Sequence, residues 1–180
     1  MSKDIRIKKG LNINLVGAAE QTTSKAVLSN VYAIQLSDFH GITPKMIVKQ
    51  GAEVKAGEPL FYNKNMRDML FVSPVSGELV EIERGDRRRI LTLKILADKT
   101  QEAFAGAALD VEKASKGELK AALLKSGCWP FIKQRPYDVI ANPDATPKSI
   151  FISGYSSAPL QADLDYVLQG KEKELQAAIT

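Results

Sequence analysis

PKMIVKQGAEVKAGEPLFYNKNMRDMLFVSPVSGELVEIERGDRRRILTLKI, residues 44–95, is the stretch whose reading decides the fold. Its central phrase runs Val48-Lys49-Gln50-Gly51-Ala52-Glu53-Val54-Lys55-Ala56-Gly57-Glu58-Pro59-Leu60, a strand, a glycine turn, a buried valine, a second glycine turn and the next strand. A parallel phrase follows at Phe71-Val72-Ser73-Pro74-Val75-Ser76-Gly77-Glu78-Leu79-Val80. Short apolar runs with glycine or proline at each corner read as a compact all-β module. Within it Met46–Val48, Pro59–Tyr62 and Met69–Val72 are expected strands, with Asn63-Lys64-Asn65 as a polar turn. Glu78–Arg84 is expected to pair with Arg88–Ile95 across a tight turn at Gly85-Asp86. In the return strand Leu91, Leu93 and Ile95 share one face, and Thr92 and Lys94 the other.

Outward from the module, residues 5–16 alternate apolar with polar, with Ile5 and Ile7 before the Gly10 bend and Leu11, Ile13 and Leu15 after it. This reads as a bent strand or a strand pair. Residues 17–25 read as a loop, and residues 29–36 as another strand. After Leu96 the character changes to a polar, alanine-rich link over 97–108. Ser115 and Glu118 have capping-box spacing. Leu119, Leu123 and Leu124 then make one apolar stripe, and Gly127 is a natural stop, so residues 116–126 are an expected amphipathic helix. Residues 128–143 hold three prolines and three aromatics in sixteen positions, which excludes a regular helix. Residues 150–153 read as a buried strand. Asp163–Leu168 and Glu172–Ile179 read as helices, the second carrying Leu175 and Ile179 on one face.

The expected architecture is therefore α+β. A β-rich domain over residues 1–97 contains the barrel-like module at 44–95, and residues 98–180 begin an α/β, Rossmann-like layer. A lone strand at 150–153 needs neighbours on both sides, and the last helix carries no stop signal. The chain is thus expected to be the N-terminal part of a longer protein.

Composition narrows the function classes. With 180 residues, 44% of them hydrophobic, the chain can bury a genuine core, and its net charge of +4 is mild. Basic residues are scattered apart from Arg87-Arg88-Arg89, without the basic face and interleaved aromatics of a nucleic-acid binder. That run reads as a hairpin tip held in water, with an anion site as the alternative. The single cysteine, Cys128, excludes an internal disulfide and reads as a small buried apolar group. The single histidine, His40, has no carboxylate or cysteine at metal-ligand spacing. No stretch approaches the ~20 apolar residues of a membrane helix, so any membrane association is expected through a partner. No nucleophile elbow, phosphate loop or dinucleotide fingerprint appears. No catalytic, cofactor-binding or metal residue is therefore assigned. The candidates are docking residues: Trp129, Phe131 and Tyr137 beside Lys133 and Arg135, able to dock a partner or stack a ring. Tyr155 joins them in the loop after the expected 150–153 strand, because ligands sit at the carboxyl ends of strands in open α/β sheets.

The phrases Gly51–Gly57 and Ser73–Gly77 resemble the biotinyl and lipoyl carrier domains, barrel-sandwich hybrids that display a modified lysine eight residues before the proline of the second phrase. Counting back from Pro74 gives Met66, with Lys64 displaced by two, so the module reads as a scaffold without the swinging arm. The alternative is a carrier modified on Lys64. A wider resemblance rests on three stretches: Ile5–Leu11, the module at 45–95, and Gly127-Cys128-Trp129-Pro130-Phe131-Ile132-Lys133-Gln134-Arg135-Pro136-Tyr137-Asp138 with Asn142-Pro143 and Pro147–Ile152. Together they resemble the A-type subunits of the bacterial sodium-translocating NADH:quinone oxidoreductases, in their N-terminal part. The resemblance implies a peripheral subunit on the cytoplasmic side of the bacterial inner membrane, partnered with the other subunits of a complex that uses FAD, FMN, iron–sulfur, quinone and sodium. Relatives that bind flavin carry a glycine-rich loop where this sequence has Trp129, Pro130, Phe131 and Gln134, and relatives that bind clusters carry several cysteines. The chain is accordingly expected to bind no cofactor itself. Its expected contribution is scaffold and quinone-side docking, with a free-standing binding module as the alternative.

Overall fold

The structure is a computed structural model and describes residues 10, 15–17, 19–106, 109–154, 156, 158 and 160–179. The strand expected over 5–16 falls, apart from Gly10, Leu15 and Val16, outside the described residues. The chain divides into two compact units, one of residues 27–147 and one of residues 1–26 with 148–180.

The larger unit is built on two antiparallel sheets. Strands β1 (Val31–Gln35), β2 (Pro44–Met46), β3 (Glu53–Val54), β4 (Pro59–Asn63), β5 (Met66–Val72), β6 (Gly77–Arg84) and β7 (Ile90–Ala97) follow in chain order. One sheet runs β1-β7-β6-β3 and the other β2-β4-β5. Alternation places Leu79, Leu93 and Ile95 of the first sheet and Leu60, Phe61, Met69 and Phe71 of the second in a single buried cluster. Phe61 stacks on Phe71 with ring centroids 4.4 Å apart, and Phe39 meets Phe71 edge-on at 4.9 Å, the geometries that ring quadrupoles favour.

The two glycine phrases are joined by backbone hydrogen bonds. Gly51 N–H donates to Leu79 O, and Leu79 N–H to Ala52 O; Gly57 N–H donates to Ser73 O, and Ser73 N–H to Glu58 O. Each phrase thus supplies the partner for the other's corner. The buried serines complete this. Ser73 Oγ–H donates to Val75 O, and Ser76 Oγ accepts from Glu102 N–H. Gln101 caps the same corner, its Oε1 accepting from Ser76 N–H at 2.8 Å and its Nε2 donating to Asp98 O at 2.8 Å. A buried hydroxyl is tolerable because its hydrogen bonds are made.

The β6–β7 hairpin departs from the expected register. The strands are joined by Gly85–Arg89 rather than by a two-residue turn, and Arg84 pairs with Ile90 while Glu83 pairs with Thr92. Two residues on β7 therefore oppose one step on β6, a bulge at Leu91. Its consequence is a change of face: Ile90 is buried, and Leu91, expected beside Leu93 and Ile95, is exposed. The turn itself carries Arg87 at φ 54° and Arg88 at φ 61°, the left-handed region that side-chain-bearing residues seldom occupy.

Helix α1 (Lys116–Lys125) has the expected capping box: Ser115 Oγ accepts from Glu118 N–H while Glu118 Oε2 accepts from Ser115 N–H at 2.8 Å. Its Leu124 enters the core cluster, whereas Leu123 stays exposed. The helix stops at Gly127, φ +75°, where a Cβ would lie 2.6 Å from Val72 Cγ2. The close approach to β5, as much as the left-handed turn, requires glycine there.

In the other unit, α2 (Leu164–Val167) starts on Asp163, whose Oδ1 accepts from Asp165 N–H at 3.0 Å, and α3 spans Glu172–Ile179. Gln21 Nε2 donates to Asp163 Oδ2 at 2.9 Å. The strand expected at 150–153 is not formed. Ile150, Phe151 and Ile152 are exposed, and no described strand lies beside them. A strand exists only by pairing its N–H and C=O groups, so an apolar run without a neighbour stays irregular. The chain is thus a β-rich barrel-sandwich domain followed by α1 and the further α and β segments.

Candidate functional site

The segment after α1 is irregular, as its prolines dictate, but firmly tethered. Trp129 opens a single 3₁₀ turn over Trp129–Phe131, packs partly buried against the core cluster, and donates from Nε1 to Ala141 O at 2.8 Å. Pro130, next in the chain, is buried. With Trp129 and Pro130 turned inward, the neighbouring Cys128 is left outside: it is exposed, not the small buried group expected from its type. Beyond the turn, β8 (Lys133–Gln134) pairs with β9 (Val139–Ile140), and Ala141 N–H donates to Ile132 O at 2.9 Å to extend the ladder.

The base of this small hairpin is clamped from three directions. Gln134 Oε1 accepts from Asn142 N–H at 3.1 Å, Asn142 Oδ1 accepts from Asp144 N–H at 3.0 Å, and Lys120 Nζ on α1 donates to Pro143 O at 3.0 Å. A two-residue strand pair is marginal alone; the indole and these side-chain bonds hold it to the module.

The tethering divides the predicted docking residues into two groups. Trp129 faces inward as the anchor. Phe131, 76% exposed, and Tyr137, 83% exposed, face solvent, as do Lys133 and Arg135. Arg135 Nη1 lies 4.0 Å from Asp138 Oδ1, both ends well exposed, so the pair contributes little and the guanidinium stays available. Tyr155 lies outside the described residues. The hairpin therefore presents two aromatics and two cations on a fixed base without enclosing them in a cavity. Such a surface can dock a partner but cannot exclude water from a reacting group.

At the carrier-lysine position, Met66 packs against the core, and Lys64 sits exposed in the β4–β5 turn with its N–H donating to Thr43 O at 2.8 Å. Among the described residues no group of three or more His, Cys, Asp or Glu side chains could hold a metal ion. Among the same residues no helix is long and apolar enough to cross a membrane. The electrostatic features outside the hairpin are modest. Lys94 on β7 is held above its usual pKa by the hydrogen bond and charge of Glu81, 2.9 Å away. Glu118 is held below its own by the Ser115 hydroxyl and backbone N–H.

Two family models match the chain: the NqrA N-terminal barrel-sandwich hybrid domain over residues 5–98 and the NqrA second alpha/beta domain over residues 114–180. Among curated relatives, the A-type subunit of the Na(+)-translocating NADH-quinone reductase of Tolumonas auensis (strain DSM 9187 / NBRC 110442 / TA 4) is 36% identical over 168 residues, covering 92% of this chain and 38% of the relative. The protein of the same name from Marinomonas sp. (strain MWYL1) is 28% identical, covering 97% of this chain and 40% of the relative. That of Pseudomonas aeruginosa (strain UCBPP-PA14) is 32% identical, covering 98% and 40%. The chain spans about two fifths of the length of these relatives.

Proposed function

Because the chain belongs to the family of the NqrA N-terminal barrel-sandwich hybrid domain, we propose that it works as a peripheral subunit of a sodium-translocating NADH:quinone oxidoreductase, supplying scaffold and docking surface. The family match carries this reading, since relatives similar along nearly all of this chain are named as the A-type component of that complex. The β-rich domain through Ala97 is the scaffold, and the α/β domain begins beyond it. The segment 131–140, the end of the 3₁₀ turn with the β8–β9 hairpin, is the docking element, with Phe131 and Tyr137 as anchors and Lys133 and Arg135 as the charged margin. Exposed aromatics on a rigid base lose little side-chain entropy on burial, which is why such residues dominate interface energies. Electron transfer, with its flavins, iron–sulfur centre, quinone and sodium, belongs to the whole complex on the cytoplasmic face of the bacterial inner membrane. This chain meets that chemistry at the quinone side by docking.

The test is affinity purification of the complex with a tagged full-length protein carrying F131A and Y137A together. Loss of co-purifying subunits with unchanged abundance of the tagged protein is the expected result. Full retention of the partners overturns the docking assignment, and flavin absorption co-purifying with the 180-residue chain overturns the scaffold role.

A further inference from the structure

The β6–β7 turn and the chain between β1 and β2 enclose a cleft of about 450 Å³, a volume in the range of small-ligand sites. Leu36 and Ile90 are buried at the base and Phe39 and Ile42 are partly so, giving an apolar floor. Arg84, Arg88 and Arg89, with His40, line the same cleft. Among the described residues none of these three arginines takes part in an ion pair. The ion pairs that are formed lie elsewhere, on lysines and on Arg135. Asp86, the acid of the turn, is outside the lining.

The turn that carries Arg88 and Arg89 is held by its own hydrogen bonds. Arg88 O accepts from Arg84 Nη1 at 3.2 Å, Arg89 N–H donates to Asp86 O at 3.1 Å, and Gly85 N–H donates to Arg89 O at 2.8 Å. The bulge at Leu91 turns Ile90 inward, and Ile90 and Arg89 both line the cleft. Arg87 and Arg88 hold left-handed backbone where glycine or asparagine would be cheaper. A hairpin tip serving only to stay wet would gain nothing from three unneutralised guanidiniums beside an apolar concavity, because like charges at close range repel.

We propose that this cleft binds an organic phosphate, its phosphoryl group taken by Arg84, Arg88 and Arg89 and its apolar body laid on Leu36, Phe39 and Ile90. Guanidinium forks match phosphoryl oxygens in geometry and charge, and the floor distinguishes an organic phosphate from the bare ion. The same chemistry is presented by a free phosphate monoester and by the headgroup region of an anionic phospholipid.

Phenyl phosphate is the probe, titrated into the 180-residue chain in phosphate-free, low-salt buffer and followed by amide and arginine side-chain NMR shifts. Shifts are expected at residues 36–44 and 84–90. Inorganic phosphate and phenol each bind more weakly than phenyl phosphate, and added salt weakens binding by screening. R88Q or R89Q alone, exposed changes that leave the remaining spectrum in place, each weaken binding about tenfold, the loss expected for one charge-assisted contact. Sedimentation with phosphatidylcholine vesicles, with and without phosphatidylglycerol, separates the sources. Pelleting that requires phosphatidylglycerol and fails in R88Q assigns the lipid headgroup, and phenyl phosphate binding without pelleting assigns a free ligand. The proposal is overturned if phenyl phosphate shifts nothing at 36–44 and 84–90, or binds R88Q and R89Q as tightly as the parent chain. It is also overturned if phenol competes equally with phenyl phosphate.

Discussion

Gly77 shows how much one missing side chain can decide. It opens β6 at φ +150°, and a Cβ there would sit 2.0 Å from Leu96 O on the paired strand. The obstacle is backbone, so no rotamer change relieves it. G77A is expected to destabilise the chain by more than about 2 kcal/mol, read as a lowered urea midpoint, and an unchanged midpoint would show that β6 and β7 can separate at little cost. In the core, Leu93 has no exposed surface, and L93A is expected to cost about 3 kcal/mol through lost transfer energy and a residual cavity. The Ser115–Glu118 box gives a pH signature. Because the Glu118 carboxyl is held below its usual value, its contribution is present above the ordinary glutamate pKa of about 4.3 and is lost as pH falls through the depressed value. The protection factors of the amides in the first turn of α1, taken relative to their intrinsic exchange rates, should therefore fall in acid, and E118Q should remove that dependence.

At the scale of elements, period and punctuation in the sequence located most strands and helices, and the differences have specific causes. The capping box and Gly127 delimited α1 because both signals are local. The paired glycine phrases identified the sandwich corners because each turn needs a backbone that glycine supplies. The bulge at Leu91 was not legible, since alternation alone cannot say where one extra residue is accommodated. That one residue exchanged Leu91 for Ile90 as the inward side chain, and the longer connection Gly85–Arg89 put Arg88 and Arg89 in the turn rather than in the strand. The 150–153 run failed differently. Its apolar composition suits a buried strand, but strand formation depends on a neighbour that composition does not provide. The 128–143 segment stood out as a docking candidate by content, three aromatics among prolines, yet content could not separate Trp129, which is tethered inward, from Phe131 and Tyr137, which are exposed. The W129F variant, keeping a ring but losing the donor to Ala141 O, is expected to weaken protection of the β8–β9 amides, measured by hydrogen exchange, by about 1 kcal/mol.

For the whole molecule, stability is unevenly spread. Residues 27–147 hold every residue of the core cluster, whereas Ile150, Phe151 and Ile152 are exposed outside regular structure. Limited chymotrypsin digestion should cut at Phe151 well before any aromatic of the sandwich strands at 31–97; cleavage inside the sandwich at the same rate would contradict that distribution. The sequence by itself determined the sandwich module, the α1 boundaries, the absence of a lysine at position 66 and the aromatic character of the segment 128–143. The strands of the module, the α1 boundaries and the aromatic content follow from residue type at short spacing, and the Met66 reading from the resemblance to the carrier domains. Only the tertiary structure decided which aromatics face out, that Cys128 is exposed, and that Arg84, Arg88, Arg89 and His40 share one cleft. His40 and the arginine run lie more than forty residues apart in the chain, and no local pattern encodes the fold-back that sets them side by side.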